Sequence, residues 1–167
     1  MFKIIILLIT FLFFTYENLI AAGSSSSGSS SNTTNVMTEY EWAERKILKG
    51  KKLEQKGKEN KAKEYYKDAL KNLKKENKDD PANPDVYNYM GFVERKLGNF
   101  KDAEILYLIG LEINPNHIGI NEYLGELYAF TDRINQAKER LEVLRNCNCE
   151  EFQELKEIID GTRKSKY

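Results

Sequence analysis

One histidine and two cysteines are the whole supply of imidazole and thiol in 167 residues. Catalysis by imidazole needs a second group to orient the ring or take its proton. His117 stands between Asn116 and Ile118, where one helix is expected to turn into the next, and it reads as a loop residue. Cys147 and Cys149 are two positions apart. In an oxidising compartment such thiols tend to join, and the bond would act as a small staple before the last helix. Free or half-buried thiols are the alternative, and redox or metal chemistry a third. Two thiolates and a distant imidazole do not complete a tetrahedral site, so no metal and no cofactor is expected. Glu150 and Glu151 point different ways on a helix, whereas Glu122 and Glu126 share one face. That pair is expected to form a solvated groove wall rather than an acid and a base. The ten glycines include no phosphate-cradling run after a strand. No catalytic residue emerges, and the chain is not expected to be an enzyme.

The elements that position these residues follow from an internal repeat. Residues 84–117 align with 118–151 without a gap: Met90 falls on Leu124, Gly91 on Gly125, Phe100 on Ile134 and Ala103 on Ala137. An earlier copy, about 43–83, sets Gly50, Gly57, Ala62, Tyr66 and Ala69 over Gly91, Gly98, Ala103, Tyr107 and Gly110. Its step is 41 rather than 34, and the extra seven residues fall in the charged stretch Lys74–Asp80 before Pro81. Apolar residues recur at three and four within each copy, the period of a helix with one buried face. Gly98 divides the second copy into helix A and helix B, and Asn114-Pro115 stops helix B. Asn99 with Asp102 three residues later predicts a cap for helix B. Thr38-Glu39-Tyr40-Glu41 predicts a capping box, so order begins near residue 38. The small residues 91, 103 and 110 let two helices approach closely. Phe152, Leu155, Ile158 and Ile159, followed by Gly161, predict a seventh helix over about 150–160, capping the last repeat with Glu150, Glu151, Glu154 and Lys156 toward water.

Before residue 38 the composition changes. Met1–Lys3 is a short basic start, and Ile4–Phe14 is an apolar run broken only by Thr10, the length of a signal-peptide core and short of a membrane span. Cleavage is expected near residues 22–23, giving a signal peptide at 1–22. Residues 23–37, largely Ser, Gly, Thr and Asn, form a linker too polar to fold. The folded part is expected over 38–163 with a tail at 164–167, and the location periplasmic or secreted. Retention of 1–22 as an anchor is the competing outcome.

Tyr87, Met90-Gly91, Gly98, Ala103, Tyr107, Gly110 and Pro115 resemble the tetratricopeptide repeat, with weaker copies on either side. The Ser-rich leader, Tyr123-Leu124-Gly125-Glu126-Leu127-Tyr128 and Cys149-Glu150-Glu151-Phe152 resemble small secreted repeat proteins of alphaproteobacteria. The resemblance implies an all-α, right-handed superhelix of three helix pairs plus the C-terminal cap. It further implies that the A helices line a concave face that holds a peptide or protein. Carried over, that face comprises Ile47, Lys51, Gln55, Asn88, Phe92, Arg95, Lys96, Glu122, Glu126 and Phe130, with Tyr89 and Tyr123 nearby. Members that grip a chaperone's terminal carboxylate use Lys and Asn at defined positions. Ile47 and Tyr123 stand at two of them, which excludes that partner class.

Charge separates along the chain. Residues 45–78 hold 14 basic and 5 acidic side chains, residues 112–160 hold 5 and 11, and the whole chain sums to zero. That balance gives no general pull toward nucleic acid. The expected function is a non-enzymatic adaptor binding a protein or peptide. A tethered assembly factor with a Lys-rich face on lipid is the alternative, a cysteine-based redox or metal protein the third, and pairing of two chains through the first repeat is compatible with either of the first two.

Overall fold

The computed structural model describes residues 36–165. The expected signal peptide and the linker through residue 35 lie outside them. Seven helices follow in order: α1 (Glu39–Glu54), α2 (Glu59–Asp79), α3 (Pro84–Leu97), α4 (Phe100–Ile113), α5 (Ile118–Phe130), α6 (Ile134–Val143) and α7 (Glu150–Ile159). No strand occurs among the described residues. α1 packs on α2, α3 on α4 and α5 on α6. The pairs join through α2 against α3 and α4 against α5, and α7 closes the end against α5 and α6.

Local chemistry accounts for most of the boundaries. Thr38 Oγ1 accepts from the Glu41 amide at 3.1 Å, and Glu41 Oε2 accepts from the Thr38 amide at 2.8 Å, the reciprocal capping box. Gly98 takes φ 91°, a left-handed conformation that only glycine adopts cheaply, and ends α3. The extra seven residues of the first repeat lengthen its second helix, 21 residues in α2 against 14 in α4. The Asn99 cap does not form. Its side chain makes no bond to the α4 amides, because Nδ2 turns back to Glu94 Oε2 at 2.7 Å. Lys46, at a position usually apolar in such repeats, is half-buried and donates from Nζ to Asn72 Oδ1 at 2.6 Å.

The repeat is built around one contact. A Cβ on Gly50 would lie 2.5 Å from Tyr66 Cε1, and one on Gly91 would lie 2.5 Å from Tyr107 Cε1. Glycine therefore makes the notch in helix A that receives a fully buried tyrosine from helix B of the same pair. In the third pair the residue in register with Tyr107 is Leu141, and it does not fill the notch. Leu155 of α7 does, with Cδ2 2.5 Å from a Cβ on Gly125. The cap helix thus supplies the side chain that helix B supplies in the other pairs. Leu155 is 0% exposed, and full burial of such a side chain stabilises by about 1.5–3 kcal/mol. Glu150 and Lys156 on α7 face water as expected, whereas Glu154 is half-buried toward α5.

Candidate functional site

The steps of 41 and 34 place α1, α3 and α5 residues in equivalent columns: Ile47, Asn88 and Glu122; Lys51, Phe92 and Glu126; Gln55, Lys96 and Phe130. Ile47, Asn88, Phe92, Arg95, Glu122 and Glu126 are buried. Lys51, Tyr89, Lys96 and Tyr123 are half-buried, and Gln55 and Phe130 are exposed. The A-helix residues therefore divide into a floor and a rim.

The floor is a chain of aromatic and charged contacts running from α1 to α5. Lys51 Nζ sits 4.4 Å from the centre of the Phe92 ring, close enough for cation–π attraction. Phe92 meets Tyr66 edge-on at 6.0 Å and Tyr123 at 5.5 Å. Arg95 Nη2 pairs with Glu126 Oε2 at 2.6 Å, both side chains 0% exposed, and Nη1 donates to the Tyr123 carbonyl. Its guanidinium also lies 5.7 Å from the centre of the Tyr123 ring. A planar guanidinium suits this combination of a carboxylate, a carbonyl and a ring face. Glu122 and Glu126 are thus not a solvated wall: they are 4% and 0% exposed. The Glu154 carboxylate of α7 joins them, with ligand oxygens of all three within 4.8 Å of one another. Carboxylate oxygens are the ligands a hard cation prefers, though it takes about six or more, and the structure shows Arg95 on Glu126 and Arg163 2.8 Å from Glu154.

The rim lies between α1 and α3. Tyr89 Oη donates to Glu44 Oε1 at 3.1 Å, and its ring meets Tyr40 at 5.5 Å. Burial, with the Glu44 carboxylate beside it, pushes the Tyr89 hydroxyl up to about 12. A groove of about 400 Å³ opens here, lined by Glu44, Arg45, Ile47, Leu48, Lys51 and Tyr89. Leu48 is 53% exposed in it, an aliphatic side chain held in water between two cations and an aromatic ring. Sequence reasoning missed Leu48, Arg45 and Glu44. The signal was present, since Leu48 precedes Tyr89 by 41 and Tyr89 precedes Tyr123 by 34. A larger groove of about 620 Å³ lies at the loop edge among Gly98, Phe100, Glu104, Thr131 and Arg133, where Arg133 and Glu104 already pair at 2.7 and 2.9 Å.

The remaining candidates have structural tasks. His117 is the cap of α5: Nδ1 accepts from the Ile120 amide at 3.1 Å, which leaves the proton on Nε2 to donate to Asp85 Oδ1 at 2.9 Å. It ties the second pair to the third. Cys147 and Cys149 are joined by a disulfide immediately before α7.

No family model matches the chain, and no curated protein matches it. Solved structures do. The type III secretion translocator chaperone SycD of Yersinia enterocolitica is 16% identical, with a TM-score of 0.54 over 82% of this chain and 93% of that one. The same chaperone in complex with a peptide of the translocator YopD is 18% identical, with a TM-score of 0.51 over 71% and 86%. The TPR domain of Arabidopsis OM64 is 17% identical, with a TM-score of 0.48 over 75% and 99%. What the chain shares with the Yersinia chaperone is the fold, helix pairs stacked side by side.

Proposed function

We propose that this chain is an exported tetratricopeptide-repeat adaptor without catalytic activity, which holds an extended segment of a protein partner along the A-helix face of α1, α3 and α5. The observation that carries the proposal is the rim groove, where Leu48 is exposed beside Tyr89, Arg45 and Lys51. An apolar anchor point ringed by charge and an aromatic hydroxyl is the arrangement recognition sites favour. Beneath it the aromatic and ion-pair floor holds the A helices in fixed register, so the surface is formed before a partner arrives. Support from outside the chain is the Yersinia chaperone of the same fold, solved with a translocator peptide bound.

A photo-crosslinking residue at position 48 tests the proposal directly, with a second at position 108. Leu108 is 43% exposed on α4, a B helix. Crosslinks from 48 and not from 108 support the A-helix face, whereas equal capture from both rejects it. Phe92 and Arg95 are poor probes, because both are buried and their truncation reports stability. Export rests on the leader, and the mass of the mature chain tests it. A chain starting near residue 23 fits a cleaved signal, and an intact Met1 favours the tether. No helix among the described residues is long and apolar enough to cross a membrane.

A further inference from the structure

The two ends of the stack carry opposite charge. From Glu39 to Asp79 the first pair holds 14 basic and 9 acidic residues, and from Ile118 to Asp160 the last pair and cap hold 5 basic and 10 acidic. On α1, Trp42, Arg45, Lys49 and Lys52 are all exposed and follow one another at intervals of 3, 4 and 3. That spacing sets them in one row on the helix side away from the buried Ile47. On α7 and its C-cap residue, Glu150, Gln153, Glu157 and Asp160 repeat the same intervals, opposite the buried Leu155. Three of these are exposed and Glu157 is half-buried. One row is cationic with an aromatic at its end, and the other is acidic, with Asp160 paired to Lys156 at 2.5 Å and Glu157 to Arg163 at 3.5 Å and Glu150 exposed beyond them.

α1 begins the stack and α7 ends it, with α3 and α5 between, so the rows do not meet within one chain. A stack of repeats is open-ended unless its terminal faces are polar caps. Here α7 provides one such face, while Trp42 remains 47% exposed at the other. The chain has zero net charge, so copies do not repel one another as wholes, and local complementarity decides how they meet.

We propose that a second copy of this chain lays its α7 row, Glu150, Gln153, Glu157 and Asp160, against the α1 row of the first, so that copies join end to end. Two different patches meet, which makes the contact heterologous. Rings or open chains follow, depending on whether the rotation closes. The α1 row touches the rim groove only at Arg45, so a test confined to Lys49 and Lys52 leaves the A-helix reading standing if it fails.

Light scattering and sedimentation of the chain as recovered from cells test this across concentration and salt. The expected result is a mass that rises with concentration and falls back to the monomer at about 1 M salt, where the screening length shrinks to about 3 Å. A variant with Lys49→Glu and Lys52→Glu associates at least tenfold more weakly, and so does one with Glu150→Lys, Glu157→Lys and Asp160→Lys. Mixing the two restores association, because the acidic α7 of the first meets the basic α1 of the second. All substituted residues face solvent wholly or in part, and unchanged helicity by circular dichroism establishes that each variant is folded. A wild-type chain that stays monomeric at millimolar concentration overturns the proposal. So does equal association of wild type and both variants, or binding of a monomer to vesicles of anionic lipid through the α1 row.

Discussion

Leu155 and Gly125 supply the sharpest energetic test, because the two residues occupy one space. A methyl group added at Gly125 falls 2.5 Å from Leu155 Cδ2, 2.9 Å from Cδ1 and 3.2 Å from Arg140 Cβ. The first two contacts cannot exist, so in Gly125→Ala the Leu155 side chain or α7 itself must shift, and overpacking of this kind costs about 1–3 kcal/mol. Leu155→Ala removes the two δ-carbons and the γ-carbon from a site that is 0% exposed, which costs about 2–5 kcal/mol. In the double variant the clash has lost its partner, and the new methyl occupies part of the vacated volume. The double variant is therefore more stable than the sum of the single costs implies, with a coupling of about 1–3 kcal/mol. Urea unfolding followed by far-ultraviolet circular dichroism measures it. With a slope of about 1–3 kcal/mol per molar, each single cost moves the midpoint by roughly 0.3 M or more. Additivity within about 0.5 kcal/mol would mean that Leu155 does not fill the notch. The claim that the cap helix replaces the helix-B tyrosine would then fall.

Arg95→Leu leaves Glu126 buried without its guanidinium and costs about 3–5 kcal/mol, whereas Arg95→Leu with Glu126→Leu recovers most of that loss, both read by denaturant midpoint. Thr38→Ala removes one half of the capping box and costs about 0.5–2 kcal/mol, with the loss of protection in hydrogen exchange confined to the first turns of α1. Tyr89 holds its proton more tightly folded than unfolded, so its contribution to stability is complete below pH 10 and is lost as pH rises toward about 12. Tyrosinate absorbance should show a late-titrating group that disappears in Tyr89→Phe, and a Tyr89 that ionises at its ordinary pH would refute the burial argument. Reduction of the Cys147–Cys149 bond opens a loop of only three residues, so the chain-entropy account allows a loss of about 1–2 kcal/mol, detectable as a small shift in urea midpoint under a dithiol reductant.

The features legible in the sequence are those decided within a few residues. The capping box at Thr38, the left-handed Gly98 and the stop at Asn114-Pro115 each depend on near neighbours, and the repeat made the notch glycines visible by superposition. Asn99 failed as a cap because Glu94, one turn back, competes for its side chain, and residue type alone does not rank the two partners. The burial of Glu122 and Glu126 was illegible because the helices packed over them are distant in sequence, and Arg95, the cation on Glu126, comes from another helix 31 residues before it. A carboxylate pair four apart reads as a wet surface until the opposing helix is known. Glu154 was misplaced for the same reason. Leu48 was illegible because an aliphatic residue in a column of two tyrosines reads as core, and only the packing of α1 on α3 leaves it open in the groove.

The central claim is that the partner lies on the A-helix face, and a paired affinity measurement tests it most directly. The partner captured through position 48 is titrated against Leu48→Glu with Tyr89→Ala, and separately against Ile105→Glu with Leu108→Glu on the outer side of α4. The account predicts that the first pair weakens binding at least tenfold, about 1.4 kcal/mol or more, while the second leaves it unchanged. Loss of binding only in the α4 variant would place the partner on the opposite side of the stack and contradict the account.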